Sequence, residues 1–362
     1  MDISASYMKR ALSLATRGRG NVHPNPLVGA VVVKDGTVIG EGAHTQLGHS
    51  HAEINALRDI SGDPHGATMY VNLEPCTYHG RTPPCVPAII NAGIHSVVVG
   101  TEDPNPKVSG SGIRQLREAG IEVKVGVLEQ ECRELNRGFI RYMETGFPWV
   151  TLKLASTIDG FIADRNGVSK WVTGSESRKL VHQWRSEHDA VLVGANTVAT
   201  DDPQLTVRAV EGANPVRIVV DSRQVAPETA RVFRDADAET ILVTDPESGN
   251  GQWKSKHGIQ TVTLSPDAGG MFDWEEILRR LAGEKGILSV FVEGGAEVAS
   301  SLMRSGYVNE LIIMTAPKII GQGLSPFRHI SLPLEGAVQW SIYETGRSGK
   351  DSYVRYRSRE RG

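Results

Sequence analysis

The stretch from His51 to Cys85 constrains this chain more than any other. It opens with His51-Ala52-Glu53, passes Glu74-Pro75-Cys76, and reaches Cys85 after eight intervening residues. One imidazole and two thiolates fill three of the four tetrahedral positions of a zinc ion, and the fourth stays open to water. Bound zinc lowers the pKa of such a water to about 7. A carboxylate beside the histidine, not itself a ligand, can carry protons. His51 and Glu53 stand where a helix is predicted to start, so both can point into one cavity. Cys85 opens a second predicted helix, where the dipole and nearby amides stabilise a thiolate.

The arrangement carries the signal. His-Ala-Glu recurs by chance, and so does Pro-Cys. Their order, with a strand between them and a second cysteine at a helix start, is specific. A closed structural site is the competing reading, with His79 as its fourth ligand. His44 and Asn25 are candidate substrate contacts. His44 follows Gly42-Ala43 where a strand passes into a loop, and Asn25 is fixed between two prolines with an amide that can read a ring edge. His49 reads as an ordinary loop histidine. Cys132 lies in a helix-like stretch without metal spacing and reads as a small buried hydrophobe. Three cysteines make no disulfide framework.

Along the chain, apolar periodicity predicts a first helix over residues 4–17, closed by Gly18 and Gly20. The run 27–33 reads as a strand, and Lys34-Asp35-Gly36 as a hairpin turn. Helices follow at 51–58, 85–92, 113–119 and, as one longer helix, 129–144. Strands fall at 68–73, 97–100 and 122–125. Such alternation implies an α/β domain with helices covering a sheet. Gly146-Phe147-Pro148 marks the predicted boundary, giving domains 1–146 and 147–362; two domains also suit 362 residues. The second domain has predicted strands at 150–154, 190–193, 216–220, 240–243, 288–292 and 311–316, and helices at 175–186 and 274–281. Residues 247–256 read as a surface loop, and Ser109-Gly-Ser-Gly112 as a plain loop before a helix.

Composition excludes several classes. A net charge of -3 gives no footing for nucleic acid or a membrane surface, and 40% apolar with 22% charged residues is ordinary for a soluble protein. No apolar run approaches the ~20 residues of a membrane span, and Met1-Asp2-Ile3-Ser4 does not begin like a signal peptide.

The second domain holds weaker motifs. Glu293-Gly294-Gly295 lies between a predicted strand and a helix near Ala296, where glycines let a phosphate approach backbone amides. No strand-linked G-x-G-x-x-G is present, so a Rossmann fold is not expected. Lys153-Leu-Ala-Ser-Thr-Ile-Asp-Gly160 reads as a strand and turn, and Asp201-Asp202-Pro203 as a cap.

Taken together, His23-Pro-Asn-Pro26, His51-Ala-Glu53, Glu74-Pro-Cys76 with Gly80-Arg-Thr-Pro-Pro-Cys85, and Asp103-Pro-Asn-Pro106 resemble the bifunctional riboflavin-biosynthesis deaminase-reductase family. The likeness continues through Ser169-Lys-Trp171, Arg185, Gly194-Ala-Asn-Thr197, residues 201–208 and Val292-Glu-Gly-Gly295, and weakens after Lys318. The eight-residue gap separates this family from nucleoside, cytosine and tRNA deaminases, whose cysteines usually stand two apart. One position departs: Tyr78 follows Thr77 where the family usually has His, and the histidine here is His79.

The resemblance implies a cytidine-deaminase-like three-layer α/β domain followed by a dihydrofolate-reductase-like α/β domain. It implies Zn2+ on His51, Cys76 and Cys85, with Glu53 as proton shuttle, and Asn25 and His44 on the substrate. It implies an NADPH site of Ala155, Trp171, Thr197, Asp201, Ser222, Gly295, Ala296, Glu297, Val298, Ala299, Ser300 and Ser301. Lys153, Ser169, Arg185, Leu205, Arg208 and Glu293 would line the substrate site, with Asp201 counted there too. Arginines suit the ribose phosphate because their fork matches its oxygens. For Trp171 the residues alone favour core packing. The implied activity is zinc-dependent loss of the 2-amino group of a phosphoribosylaminopyrimidine, then NADPH-dependent reduction of ribosyl to ribityl. A cytoplasmic homo-oligomer acting on small molecules, with no nucleic-acid or membrane partner, is the expected setting. Two rival functions remain. A nucleoside or RNA base deaminase with an accessory domain is disfavoured by charge and cysteine spacing. A non-catalytic zinc-stabilised module would have a closed metal site and lose its fold on chelation.

Overall fold

Val31, Val32 and Val33 are all buried, as are Val97, Val98 and Val99. Since successive strand residues face opposite ways, a sheet containing these runs must be covered on both sides. The computed structural model of the chain, which describes residues 3–106, 108–247 and 259–358, has this arrangement. The chain divides into two compact units, Met1–Gly146 and Phe147–Gly362.

The first unit runs α1 (Ile3–Ala15), β1 (Gly29–Lys34), β2 (Thr37–Ala43), α2 (Ala52–Arg58), β3 (Thr68–Leu73), α3 (Cys85–Asn91), β4 (Ser96–Thr101), α4 (Ser111–Glu118), β5 (Glu122–Val125), α5 (Glu129–Leu135) and α6 (Arg137–Thr145). Its sheet has the order β2-β1-β3-β4-β5. β1 is antiparallel to β2 and β3, and β3, β4 and β5 are mutually parallel. On one face Met8, Ala11 and Leu14 of α1 and Cys132 of α5 pack on Val31, Val33, Tyr70 and Val98. On the other, Ala52 and Ala56 of α2, Val86 and Ile89 of α3, and Ile113 and Leu116 of α4 pack on Ala30, Val32, Met69, Val97 and Val99. Cys132 is wholly buried, as expected.

Two local details aim the helices. Asp35 and Gly36 both have positive φ, which makes the two-residue turn between β1 and β2 follow the twist of the strands. Gly42 leaves no side chain between β2 and α2; a Cβ there would overlap the Ala52 carbonyl oxygen and the Ala56 nitrogen. The helix that begins just after His51 therefore lies directly against the sheet.

The single helix expected over 129–144 is broken. Asn136 leaves helical geometry at φ -105°, ψ 21°. Its Oδ1 accepts from the Leu27 amide at 2.8 Å and its Nδ2 donates to the Leu27 carbonyl at 2.9 Å. A long-range pair of hydrogen bonds thus overrides local periodicity.

The second unit runs β6 (Trp149–Thr157), α7 (Ser175–Ser186), β7 (Ala190–Gly194), α8 (Ala195–Asp201), β8 (Val216–Asp221), α9 (Arg231–Arg234), β9 (Thr240–Thr244), β10 (Gln260–Thr263), α10 (Trp274–Lys285), β11 (Ser289–Val292), α11 (Ala296–Ser305), β12 (Glu310–Ala316), β13 (Trp340–Ser348) and β14 (Asp351–Ser358). Nine strands form one sheet in the order β10-β9-β8-β7-β11-β6-β12-β14-β13. All neighbours are parallel as far as β12, and the last hairpin runs antiparallel. Sequence periodicity gave no sign of α8, α9, β10 or that hairpin. β13 is mostly exposed, so it has no buried apolar run to mark it. β14 is tied inward by Arg355, whose Nε donates to the fully buried Glu310 of β12 at 2.5 Å. Most of the loop expected at 247–256 lies outside the described residues. Among the described residues, no helix is long and apolar enough to cross a membrane.

Candidate active sites

Three elements of the first unit deliver one cluster. His51 is the residue before α2, Cys76 follows β3, and Cys85 is the first residue of α3. The amides of Cys85 and Val86 both donate to the Cys76 carbonyl, at 3.1 and 3.3 Å, which folds the intervening loop back on itself. His51 Nδ1 then lies 3.5 Å from Cys76 Sγ and 3.4 Å from Cys85 Sγ. The three donor atoms all lie within 4.8 Å of one another. A hydrogen bond from Cys85, with His51 adding to it, holds the Cys76 thiol down at about 4, while the same contact and burial push Cys85 up. Two sulfurs and an imidazole nitrogen so close together are donors that one divalent cation would bridge. This donor set fits zinc. His79 is exposed and stands outside the cluster, so the closed four-ligand reading finds no fourth donor among the described residues.

Glu53, in the first turn of α2, is buried. Burial pushes its carboxyl up to about 7, with Cys76 adding and His51 opposing. His44 is also buried and packs edge-on to His51, ring centres 5.4 Å apart. Burial lowers its pKa, so the ring is neutral. Its Nδ1 faces the Ser50 carbonyl at 3.2 Å and its Nε2 faces Asn25 Nδ2 at 3.1 Å. The neutral ring donates to the first and accepts from the second. Asn25 and His44 are therefore joined beside the cluster, whereas His49 is exposed.

Two residues inside the quoted motifs, to which the motif reading gave no role of their own, hold this cluster in shape. Thr82 Oγ1 lies 3.1 Å from His51 Nε2, so Nδ1 is the nitrogen left to face the sulfurs. Glu74 is buried, and its carboxylate accepts four backbone amides: Asp103 at 3.2 Å, Gly110 at 2.9 Å, Gly112 at 2.8 Å and Ile113 at 3.1 Å. The stretch 109–112 is thus a carboxylate clamp rather than a plain loop, and it fixes the backbone one proline ahead of Cys76. Gly112 permits this, since a Cβ there would run into the Pro75 carbonyl oxygen. The Glu in Glu-Pro-Cys is the only sequence trace of the clamp.

The second unit holds two adjoining cavities. One is lined by Lys153, Ala155, Ser169, Trp171, Arg185, Thr197, Asp201, Leu205, Arg208 and Glu293. The other is lined by Ser169, Thr197, Asp201, Ser222, Gly295, Ala296, Glu297, Val298 and Ser301, among others. Ser169, Thr197 and Asp201 face both, with Ser169 Oγ 3.4 Å from Asp201 Oδ1.

Several expected roles change here. Arg185 does not offer an open fork. Its Nε and Nη2 donate to the two oxygens of Glu293 at 2.5 and 3.1 Å, and Nη1 donates to the Thr206 carbonyl. Burial would raise the Glu293 carboxyl, but Arg185 and Lys153 outweigh it and hold it below its ordinary value. Lys153 is pushed down by burial and by Arg185, against the pull of Glu293. Arg208 donates its Nη1 to Thr206 Oγ1 and is pressed down by burial and by Arg185 and Arg231, so it is the guanidinium more open to an anion. Leu205 has φ +58° and a buried side chain, a strained turn at the cavity wall.

Ala155 and Trp171 line the cavity of Lys153, not that of Gly295, because β6 and the loop ending at Trp171 lie on that side. Trp171 is 64% exposed with Arg178 stacked 4.4 Å from its ring centre, so it is no core residue. Ala299 and Ser300 line neither cavity. Ala299 faces the apolar core, and Ser300 Oγ donates to the Pro326 carbonyl at 3.1 Å. On a helix, Val298 and Ser301 share a face that the two residues between them leave.

Comparison with known proteins finds a match in each unit. The cytidine and deoxycytidylate deaminase zinc-binding region matches residues 1–101, and the RibD C-terminal domain matches residues 148–351. Riboflavin biosynthesis protein RibD of Aquifex aeolicus is 47% identical over 90% of this chain and 90% of its own length. That of Escherichia coli is 41% identical over 87% and 88%. The crystal structure of a diaminohydroxyphosphoribosylaminopyrimidine deaminase/5-amino-6-(5-phosphoribosylamino)uracil reductase from Thermotoga maritima superposes with a TM-score of 0.89 at 41% identity, covering 98% of this chain and 99% of that one. Acinetobacter baumannii RibD gives 0.89 at 35%, covering 99% of each. The chain belongs to the RibD family of riboflavin biosynthesis, bifunctional enzymes with a zinc-binding deaminase domain and a reductase domain.

Proposed function

We propose that residues 1–146 remove the 2-amino group of 2,5-diamino-6-(5-phosphoribosylamino)pyrimidin-4(3H)-one, and that residues 147–362 reduce the ribosyl group of the deaminated product to ribityl with NADPH. The observation that carries the first half is the meeting of His51 Nδ1, Cys76 Sγ and Cys85 Sγ beside the buried Glu53. We assign the three donors as zinc ligands. Zinc, when bound, acts as a Lewis acid and makes water nucleophilic at neutral pH. Glu53 takes a proton from the attacking water and passes it to the ring nitrogen. As the new C–O bond stands and the C–N bond breaks, Glu53 delivers the second water proton to the amine, which leaves as ammonia. Asn25 and the neutral His44 hold the ring edge.

In the second unit, bound NADPH supplies the hydride. Lys153, Ser169, Glu293 and Arg208 bind the ribosyl phosphate, with Arg208 rather than Arg185 on the phosphate. Arg185 keeps Glu293 ionised and in place. The cofactor lies along Thr197, Asp201, Ser222, residues 295–298 and Ser301, and its nicotinamide end reaches Ala155 and Trp171 past the shared wall. A homo-oligomer in a reducing cytoplasm suits three cysteines that form no disulfide and a family that acts on small molecules.

Metal analysis of the full chain tests the ligand assignment, with one zinc per chain expected. Thr82→Val keeps the shape of residue 82 but removes the partner of His51 Nε2. Its zinc affinity should fall about 10- to 100-fold in a chelator competition, as losses around a ligating histidine do. Unchanged affinity would remove Thr82 from the site.

A further inference from the structure

The cavity of Lys153 and Glu293 also contains a buried histidine, His182. It stands on α7 three residues before Arg185, so the two side chains leave one face of the helix. Burial, Arg185 and Arg208 lower its pKa, against Glu293 and the Thr206 backbone, so the ring is neutral.

This ring holds backbone. Its Nδ1 accepts from the Arg208 amide at 3.1 Å. An amide only donates, so Nδ1 is the unprotonated nitrogen and the ring proton sits on Nε2. Arg185, one turn further along α7, donates its Nη1 to the Thr206 carbonyl at 3.0 Å. α7 therefore grips residues 206 and 208 together. Val207 between them donates its amide to Asn214 Oδ1 at 2.7 Å. The segment needs this bracing, because Leu205 just ahead of it has φ +58°, a conformation that leucine keeps only where its surroundings fix it.

Arg208 is the residue that the brace serves. Its guanidinium lines the cavity and donates Nη1 to Thr206 Oγ1 at 3.0 Å, which leaves its other donors for an anion. A fork that meets phosphate oxygens through directed hydrogen bonds depends on where its own backbone stands.

We infer that His182 is a positioning residue for the substrate phosphate: by holding the Arg208 amide it sets the guanidinium in place, without touching substrate itself. The inference rests on the reading of Arg208 as the phosphate ligand.

The test compares reduction of the phosphorylated, deaminated intermediate with reduction of its phosphate-free riboside by the full chain. His182→Leu should raise KM for the phosphorylated substrate roughly 3- to 10-fold, the range for one lost hydrogen bond. Its kcat, its KM for NADPH and its kcat/KM for the riboside should stay within about twofold of the parent, which a general disturbance of the unit would not allow. His182→Asn should restore the parent KM, because the Asn Oδ1 stands where Nδ1 stood. His182→Gln should not, since its oxygen lies one atom further out. Should leucine disturb folding, the contrast between Asn and Gln decides alone. Arg208→Ala should raise the same KM about 10- to 100-fold, the range for bonds to a charged group, and adding His182→Leu to it should change nothing more. A parent KM in His182→Gln, an equal loss on the riboside, or effects that add in the double variant would overturn the inference. If Arg208→Ala itself keeps the parent KM, the phosphate reading fails and the inference falls with it.

Discussion

Glu53→Gln should leave zinc bound, lower the rate of ammonia release by about 10²- to 10⁴-fold, the usual span for a lost general acid-base group, and leave reduction of the deaminated intermediate unchanged. The amide has the shape of the carboxyl, so the buried first turn of α2 keeps its packing. It does not take and return a proton. Burial already raises this carboxyl to about 7, where donation and acceptance are balanced at neutral pH. Zinc content by metal analysis, ammonia release by a coupled assay, and cofactor oxidation with supplied intermediate separate the three claims. Deamination at the parent rate would remove Glu53 from its role. Loss of zinc would instead mark it as part of the metal's support.

Arg185→Met should cost the second unit about 3 kcal/mol, at the low end for breaking a buried ion pair by removing one partner. The two side chains are 12% and 13% exposed, and the guanidinium makes both charged bonds to Glu293. Without it Glu293 is a carboxylate in a desolvated wall, held down only by Lys153 and His182. Reduction should be lost together with stability. The double variant Arg185→Met/Glu293→Gln should recover part of the stability, because the carboxylate goes with its guanidinium and only Lys153 is left without its anionic neighbour, and none of the activity. Urea unfolding followed on the second unit reads both. A double variant as unstable as the single one would show that Arg185 acts through packing alone.

The contrast between the two sites explains how far the sequence could be read. His51, Glu53, Cys76 and Cys85 are legible because metal chemistry admits few residue types, and because each stands at an element end that local signals reveal. The apolar runs at 31–33 and 97–99 likewise give the strands of a two-sided sheet. Where a long-range contact decides, local pattern fails. Asn136 breaks a helix by binding Leu27, more than a hundred positions away. Glu74 turns an ordinary glycine loop into a clamp. Arg185 looks like a phosphate fork until Glu293, the residue just after β11, occupies it. The β13–β14 hairpin escapes because its stabilising residues are charged and half-exposed, so no apolar run announces it. Family likeness suggested a set of cofactor contacts, but not the side each faces. Ala155 and Trp171 line the cavity of Lys153, and Ala299 and Ser300 turn away from both cavities.

The central claim is that one chain carries two separate reactions in sequence. Zinc-loaded full-length protein should therefore be given the diaminopyrimidine substrate with and without NADPH, with ammonia and NADPH followed independently. Ammonia should appear at the same rate in both cases, and NADPH should be consumed only as deaminated product forms, one equivalent per ammonia released. Absence of ammonia release, or NADPH consumption that runs ahead of it, would contradict the account.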